Sequence, residues 1–303
     1  MGRRLLFALL SASLLVGLAP VTEPAVGKHR AKHAKKRLSI ARFASDTGAE
    51  PNPRGFWGNI ECENDGRHQL IGSGGDPNPT ITGEAQGNDS FRRLTVFDGD
   101  DFWGERCELG SETRKNTPTA VYREGTHWIT EISARLPQAF PYDEDTWQVV
   151  LQMKQAAPAA NSSGTPVLSL DAYDGQWHLR QSLSAREASD SRELWSGPIT
   201  GDTWTRFSFD VHYSRNPSRG SVAISADLNG DGDFADSGES SGQMRTYTLK
   251  VELPGGGRDG IKPGQSIPSH LHSGLYHDED LSCPPPTGCY MDLDNVQLLR
   301  IGA

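Results

Sequence analysis

The stretch W-Q-V-V-L-Q-M-K-Q, residues 147–155, alternates as a β-strand buried on one side does. Side chains two positions apart share a face of a strand and lie about 6.5 Å from each other. The predicted apolar face consists of Val149, Leu151 and Met153. The predicted opposite face carries Gln148, Val150, Gln152 and Lys154. This strand should therefore rest on a core and present an amide and an ammonium group to an open surface.

Two further segments repeat this alternation. In G-E-R-C-E-L-G, residues 104–110, one face holds Arg106 and Glu108, and the other holds Cys107 and Leu109. In S-H-L-H-S-G-L-Y, residues 269–276, one face holds His270, His272, Gly274 and Tyr276, and the other holds Leu271 and Leu275. If the three strands are neighbours, a single sheet face carries Arg106, Gln152, Lys154, His272 and Tyr276. The outer face of an antiparallel sheet is commonly polar, but this combination, with a glycine where bulk would close the surface, predicts a binding cleft.

The same three segments carry a resemblance to a known family. R-C-E-L (106–109), Q-M-K (152–154) and H-L-H-S-G-L-Y (270–276) resemble, in order, the motifs R-x-E-L, Q-x-H and Y-F-K-x-G-x-Y. These motifs belong to the jelly-roll polysaccharide lyases, which include heparin lyase I-like and alginate lyase-like enzymes. The likeness runs from about residue 55 to 301 and includes two other strands, at 126–137 and 202–214. It implies an all-β jelly-roll sandwich of two antiparallel sheets, concanavalin-like, that cleaves a uronic-acid polysaccharide by β-elimination.

The resemblance also implies roles for individual residues. β-Elimination requires a group that neutralises the uronate carboxylate, a base for the C5 proton and an acid for the departing O4. The resemblance assigns Arg106 and Gln152 to the carboxylate and Tyr276 to the acid, with or without the role of base. Glu108 is expected to orient Arg106 through an ion pair on the same face. This chemistry requires no cofactor.

Two positions depart from the family pattern. Lys154 stands where the family has its base histidine, and His272 stands where the family has a lysine. One hypothesis is that the two have exchanged duties, because a histidine can accept a proton near neutral pH. A second is that Tyr276 performs both proton transfers. A third is that the departures have cost activity and left a binding protein. His270, in place of the motif's first tyrosine, either lines the cleft or is a solvated surface residue.

Composition and charge restrict the remaining functions. The chain has 303 residues, a formal net charge of −9 and a basic run K-H-R-A-K-H-A-K-K-R at 28–37. That run holds six of the 30 Lys and Arg residues, so the rest of the chain is clearly acidic. Contacts to phosphates need a basic surface, so a nucleic-acid partner is not expected. The expected partner is an acidic polysaccharide, bound by a monomer in a locally basic cleft.

The N-terminal region has the pattern of an export signal. Arg3 and Arg4 precede an apolar run of about fourteen residues, too short for a confident membrane span. We predict a signal peptide at 1–27, a basic tail and linker at 28–54, and a polysaccharide lyase-like domain at 55–303. The mature protein should be secreted, without a membrane span.

Four cysteines favour two disulfide bonds in an exported protein. Three pairings are possible. The favoured one joins Cys283 to Cys289 and Cys62 to Cys107.

A separate acidic segment, D-L-N-G-D-G-D-F-A-D-S-G-E at 227–239, resembles the start of a calcium-binding loop. The predicted ligands are Asp227, Asn229, Asp231 and Asp233. The match to an EF-hand is incomplete, because its twelfth position is Gly238 and Glu239 comes one later. The alternative is an acidic hairpin turn, and either role would be structural.

Short strands separated by Gly-, Asn-, Asp- and Pro-rich segments predict two packed antiparallel sheets. The predicted strands lie near 91–97, 104–110, 126–136, 147–155, 166–173, 176–182, 204–214, 220–227, 244–252, 269–277 and 289–301. Besides a lyase, two other functions fit such a sandwich: a non-catalytic carbohydrate-binding protein, and a glycoside hydrolase. A hydrolase needs two carboxylates flanking the bond, and no E-x-D-x-x-E strand supplies them, so this function ranks last.

Overall fold

The computed structural model describes residues 37–42, 57, 59–76, 90–111, 121–155, 165–185, 190–252 and 262–302. These ranges contain fifteen β-strands and one short 3-10 helix, Asp65–Arg67. The strands are β1 (Arg37–Arg42), β2 (Asn59–Cys62), β3 (His68–Ile71), β4 (Phe91–Val96), β5 (Arg106–Gly110), β6 (His127–Arg135), β7 (Gln148–Gln155), β8 (Leu168–Tyr173), β9 (Gln176–Ser182), β10 (Ser191–Pro198), β11 (Thr205–His212), β12 (Ser221–Asp227), β13 (Met244–Arg245), β14 (Ser269–His277) and β15 (Cys289–Ile301).

The strands form two sheets. The first, called the back sheet here, has the order β13-β12-β11-β6-β15-β4-β3, with β1 also pairing with β15. The second, called the cleft sheet, has the order β10-β9-β8-β7-β14-β5-β2. Every strand pairing in the described ranges is antiparallel. The predicted all-β jelly-roll sandwich of two antiparallel sheets is therefore confirmed.

The core lies between the two sheets and is built from the alternate residues of each strand. Phe207, Phe209, Val211 and Tyr213 of β11 and the following turn are buried there, as their alternation predicts. Trp177 packs edge-on against Phe207, with 5.1 Å between ring centroids, so it belongs to the core and not to the cleft. Each such apolar side chain stabilises the fold by roughly 1.5–3 kcal/mol.

An irregularity in β7 changes which side chains face the cleft. Its pairing with β8 shifts register between Val149 and Leu151, and its pairing with β14 shifts at the same level. Val150 therefore lies in the core beside Leu151, whereas Val149 pairs with Asp171 and with Tyr276. The predicted faces of the two valines are wrong, because a bulge in the ladder reverses strict alternation beyond it.

The same reversal moves Gln148 off the predicted polar face. Gln148 is fully buried, pairs with His277 and donates from Nε2 to the carbonyl of Pro141 at 2.9 Å. Of the polar residues predicted to face the cleft from this strand, Gln152 and Lys154 do so.

Most predicted strands are present with small shifts at their ends, and 176–182, 269–277 and 289–301 match the observed bounds. The strand predicted at 244–252 is reduced to Met244–Arg245, followed by an isolated bridge at Val251. The strands not predicted are β1, β2, β3 and β10. β1 falls where the sequence predicts a tail and linker; it forms because the second half of β15 offers an edge for pairing.

Two disulfide bonds join Cys62 to Cys107 and Cys283 to Cys289, which confirms the favoured pairing. The first bond ties β2 to β5 across the ladder, where the two cysteines are direct partners. This places Glu61 opposite Glu108 on the adjacent rung.

The predicted signal peptide at 1–27 and most of the predicted tail and linker at 28–54 lie outside the described residues. In the part of the chain that is described, no helix has the length and apolar character needed to cross a membrane.

Candidate active site

The strand order brings the three sequence motifs together. β14 lies between β7 and β5, so its side chains meet those of both neighbours. His272 pairs with Gln152 on one side and with Gly110 on the other. Tyr276 pairs with Arg106 of β5. The five residues predicted for one sheet face therefore lie on one face of the cleft sheet, above Leu271, Leu275, Cys107 and Leu109 in the core.

Two glycines, Gly274 in β14 and Gly110 in β5, allow these neighbouring strands to pack closely. Gly274 has a φ of +150°, and a Cβ there would overlap the backbone of Cys107 in β5. A Cβ on Gly110 would lie 2.8 Å from Nε2 of His272. Gly274 is thus required by backbone packing, and Gly110 makes room for the imidazole.

Arg106 lies beneath the cleft surface. Its Nη1 donates to Oε2 of Glu61 at 3.1 Å and to Oε2 of Glu108 at 3.4 Å, and its Nη2 donates to the carbonyl of Trp103 at 2.8 Å. Its guanidinium carbon lies 3.7 Å from the centroid of the Tyr276 ring. The arginine thus holds two carboxylates and supports the phenol from below.

Glu108 is the most deeply placed group of the site, with an exposure of 0%. Its Oε1 accepts a hydrogen bond from Nε2 of Gln152 at 2.7 Å. Burial acts to raise the pKa of the Glu108 carboxyl, but His272, Arg106 and Gln152 together outweigh it and lower the pKa. Glu108 is therefore a fixed anion that orients Arg106 and Gln152.

His272 has both ring nitrogens directed at other side chains. Nδ1 lies 3.7 Å from Oε2 of Glu61 and 3.7 Å from Oε2 of Glu108. Nε2 lies 2.8 Å from Nε2 of His270. The imidazole of His272 thus lies between the two buried carboxylates and the ring of His270.

His270 is buried at an exposure of 1%, so the interpretation as a solvated surface residue is wrong. Its alternation places it on the cleft face, where it pairs with Lys154. Burial lowers the pKa of His270 well below its ordinary value, and the charges of His272 and Lys154 act in the same direction. The neutral ring is therefore the hydrogen-bond partner of His272.

Lys154 and Tyr276 are the two of the five predicted residues that reach the cleft surface, since both are partly exposed. The other three are nearly closed off, with exposures of 6% for Arg106, 1% for Gln152 and 2% for His272. Burial lowers the pKa of Lys154, with Glu108 opposing the shift and Arg106 adding to it. An accessible cation and an accessible phenol thus lie above a buried polar network.

Tyr276 is held from two sides. Arg106 lies under its ring, and Trp147 meets it edge-on with 4.8 Å between centroids. Gly104 also lies against the ring: a Cβ there would be 3.1 Å from Cε2 of Tyr276. The phenol therefore has a defined direction before any substrate binds.

The sequence reasoning missed Glu61, which contacts both Arg106 and His272. Its strand, β2, is short and was not predicted. A usable signal existed in the predicted disulfide: if Cys62 and Cys107 are paired across an antiparallel ladder, Glu61 lies opposite Glu108.

Two groups in the described ranges bring together three side chains that could hold a metal ion. Glu61, Glu108 and His272 form one, but Nη1 of Arg106 is hydrogen-bonded to both carboxylates. His127, Asp210 and His212 form a second on the outer face of the back sheet, where Nε2 of His127 lies 2.7 Å from Oδ1 of Asp210.

The predicted calcium loop, which is folded around Asp227, is not one of these groups. The two oxygens of Asp227 accept from the backbone of Gly230, Asp231 and Gly232 at 2.8–3.1 Å. Asn229 donates to Asp231 at 3.1 Å and to Asp236 at 2.7 Å. The side chains of Asp227, Asp231 and Asp236 thus accept hydrogen bonds from within the loop, and calcium binding by Asp227, Asn229, Asp231 and Asp233 stays a prediction.

The fold defines a class, the β-jelly-roll sandwich, and one sheet of this sandwich carries a polar face. The family model described as polysaccharide lyase matches residues 57–280, and the chain belongs to this family and is a polysaccharide lyase. No curated protein matches the chain.

Solved structures share the fold at low sequence identity. An endo-β-1,4-glucuronan lyase from the fungus Trichoderma reesei superposes with a TM-score of 0.50 at 14% identity, covering 80% of this chain and 90% of its own. An alginate lyase from Aplysia kurodai has a TM-score of 0.49 at 11% identity, covering 86% and 98%. The catalytic domain of a family 131 glycoside hydrolase from Coprinopsis cinerea has a TM-score of 0.48 at 12% identity, covering 86% and 93%. At these identities the likeness is one of fold alone.

Proposed function

We propose that the protein is a secreted lyase that cleaves a uronic-acid polysaccharide by β-elimination in the cleft of β5, β14 and β7. The observation that carries the proposal is that one face of the cleft sheet exposes a cation, Lys154, and a phenol, Tyr276, above a buried network. These are the two kinds of group that the reaction needs at its reacting atoms. The two disulfides and the family's polymeric substrates support export.

Lys154 is proposed to neutralise the uronate carboxylate. That neutralisation acidifies the C5–H bond, because the negative charge that develops on removing the proton is spread onto the carboxyl group. Gln152 and Arg106, the residues that the resemblance assigns to this role, are engaged with Glu108 and nearly closed off. We propose instead that Gln152 and Arg106 form the buried base of the site, where Arg106 fixes the orientation of the Tyr276 ring.

Tyr276 is proposed to perform both proton transfers. In its deprotonated form the phenol oxygen accepts the C5 proton, and the electron pair of the C5–H bond forms the C4=C5 double bond. The C4–O4 bond breaks, and the same proton passes from Tyr276 to O4. This transfer regenerates the deprotonated form of Tyr276, so atoms and charge balance. This assignment is favoured over His272 as base, because both ring nitrogens of His272 face Glu61, Glu108 or His270.

A single group that serves as base and acid must reach C5–H and O4 from one side of the sugar ring. These two positions lie on the same side in D-glucuronate and D-mannuronate, and on opposite sides in their C5 epimers. The proposed substrates are therefore polymers of D-glucuronate or D-mannuronate. The fold relative from Trichoderma reesei is named as a lyase of glucuronan, a polymer of the first kind.

A glycoside hydrolase is the candidate that the Glu61–Glu108 pair would favour, since hydrolases use two carboxylates. However, one carboxylate oxygen of Glu61, one of Glu108 and a ring nitrogen of His272 all lie within 4.8 Å of one another. In addition, Nη1 of Arg106 is hydrogen-bonded to both carboxylates. The lowered pKa of Glu108 also opposes a role as general acid. This pair is a poor fit to carboxylates that flank a glycosidic bond.

The test is ultraviolet absorbance during incubation of the mature protein with glucuronan, polymannuronate and polyguluronate. β-Elimination leaves a conjugated double bond, and hydrolysis does not. We expect rising absorbance with the first or second polymer, abolished in Tyr276→Phe. New reducing ends without absorbance would indicate the hydrolase, and binding without cleavage would indicate a carbohydrate-binding protein.

A further inference from the structure

We propose a second sugar subsite on β8 and β9 of the cleft sheet, in which Arg180 binds the carboxylate of a uronate unit beyond the reacting one. The inference rests on the proposed function and extends it, because it gives the polymer a path across the strands. Its components are Arg180, Asp171, Tyr173 and His178. None of them belongs to the three motifs that resemble the family.

The ladder places these residues on the same face as the catalytic groups. Gln152 pairs with Ser169, and Ser169 pairs with Arg180. Along the neighbouring rung, Val149 is the partner of both Tyr276 and Asp171. The intervening residues, Leu168, Leu170, Ala172, Trp177 and Leu179, point into the core. Arg180 is therefore two strands from Gln152, about 10 Å away, since neighbouring strands are about 4.8 Å apart.

Arg180 retains donors for a ligand. Its one hydrogen bond to a side chain of the described residues is a long contact of 3.5 Å from Nη1 to Oδ2 of Asp171. Its side chain is 26% exposed. Arg192 on the next strand, by contrast, donates from Nε and Nη2 to Gln181 at 3.1 and 2.9 Å. A planar guanidinium with unused donors on an open sheet face matches a carboxylate in shape and charge.

Asp171, on the neighbouring strand, holds Arg180 in place through Oδ2. It is 3% exposed, and its carboxyl also has the Ser169 side chain as a hydrogen-bond partner. Burial raises the pKa of Asp171 to about 6, with Ser169, Arg180 and His178 acting against the shift. Such a carboxyl can also donate a hydrogen bond in its protonated form.

Tyr173 and His178 form an aromatic platform beside these groups. Their rings are stacked with 3.9 Å between centroids and an interplanar angle of 13°. His178 is fixed through Nδ1 to Oε2 of Glu193 at 2.6 Å and through Nε2 to the carbonyl of Tyr173 at 3.2 Å. Tyr173 is partly exposed. Aromatic rings with an apolar face and polar neighbours are suited to contact a sugar ring.

The test measures binding of a uronate hexasaccharide and the corresponding disaccharide by calorimetry, in a Tyr276→Phe background that cannot consume them. Arg180→Ala is expected to weaken hexasaccharide binding roughly tenfold or more, the loss of one charge-assisted contact. The disaccharide, which is too short to span both subsites, should bind Arg180→Ala as it binds the parent. Arg245→Ala is the matched control, because it removes the same charge from β13 at the edge of the back sheet.

The outcomes separate the two proposals. If the parent binds the hexasaccharide and Arg180→Ala binds it equally well, the subsite is wrong and the proposed function stands. If Arg180→Ala weakens both ligands alike, or Arg245→Ala has the same effect, the subsite is also wrong. If wild-type protein cleaves no uronate polymer and the parent binds no uronate oligomer, both proposals fail. In the active enzyme, Arg180→Ala should raise KM for the hexasaccharide while kcat is kept.

Discussion

The guanidinium carbon of Arg106 lies 3.7 Å from the centroid of the Tyr276 ring, and the two residues are direct partners in the β5–β14 ladder. This contact joins the buried network to the accessible phenol. Arg106 is fixed by Glu61, Glu108 and the carbonyl of Trp103, so the ring above it is fixed as well. The buried charges are thus organised to position a residue at the surface.

Tyr276→Phe should abolish turnover while the protein stays folded. The ring contacts to Arg106 and Trp147 are kept and only the hydroxyl is removed. Loss of the proton-transferring group should reduce kcat by about 100-fold or more, measured by ultraviolet absorbance, with an unchanged Tm. The exchange of duties between Lys154 and His272 predicts instead that His272→Ala has the larger effect, so a Tyr276→Phe variant with full turnover would contradict our assignment.

Lys154→Arg should keep activity and move the alkaline limb of the pH profile upward. Lys154 neutralises the carboxylate only while charged, and burial lowers its pKa. Activity of the wild type should therefore fall at a lower pH than an ordinary lysine would cause. Because arginine stays charged throughout this pH range, a plot of kcat/KM against pH for the variant should lack the alkaline decrease that Lys154 causes in the wild type.

Lys154→Met is the matching control, and it should lose most activity at every pH. A profile in which Lys154→Arg and wild type fall together would show that another group titrates there.

Glu108→Gln should destabilise the protein by about 3 kcal/mol or more, because it leaves buried partners of the opposite charge uncompensated. The pKa of Glu108 is lowered in the folded protein. Its stabilising contribution is therefore present above the pKa of the unfolded chain and is lost as pH falls through the folded value. Denaturant unfolding at several pH values should show a smaller acid dependence in the variant.

Glu279→Gln, at an exposed position between β14 and β15, is the control and should change the unfolding free energy little. Equal effects of the two substitutions would contradict the assignment of Glu108 to a buried network.

Replacing Cys62 and Cys107 together with serine should reduce kcat as well as stability. The bond closes a sequence separation of 45 residues, and its loss should cost about 4 kcal/mol by loop entropy. β2 pairs with β5 alone at the sheet edge, so Glu61 should lose its place beside Arg106. Turnover measured well below the Tm of the variant tests this effect.

The double serine replacement of Cys283 and Cys289 is the comparison. It opens a separation of 6 residues, costs about 2 kcal/mol, and should leave kcat unchanged. If both pairs lower kcat equally, the positioning role of the first bond is wrong.

Calcium should raise the Tm, and a chelator should reverse the increase. The loop around Asp227 is rich in the carboxylate and amide oxygens that calcium prefers as ligands. Asp231→Ala should abolish the response in a thermal shift assay, whereas Glu279→Gln should keep it. A Tm that is insensitive to calcium in the wild type would leave the loop as an acidic hairpin turn.

The site could be predicted in part because its motifs carry short-range information. Arg106 and Glu108, or His270 and His272, share a face in any regular strand, so their grouping needs no knowledge of the fold. The bulge in β7 could not be predicted this way, since the shift between Val149 and Leu151 depends on pairing with two other strands. Glu61 was missed because β2 is four residues long and gains its order from β5 and the disulfide.

The alternation of apolar and polar residues along the chain was enough to predict a two-sheet sandwich and the faces of most strands, whereas the family was inferred from the resemblance of three motifs and the cysteine pairing was one favoured choice among three. The lateral order that places β14 between β7 and β5, the burial of His272 and the exposure of Lys154 and Tyr276 came from the folded protein. The physical reason is the sequence separation of the residues that determine each feature. Alternation is a property of neighbours in the chain, whereas strand order, register shifts and burial arise from contacts between residues far apart in sequence.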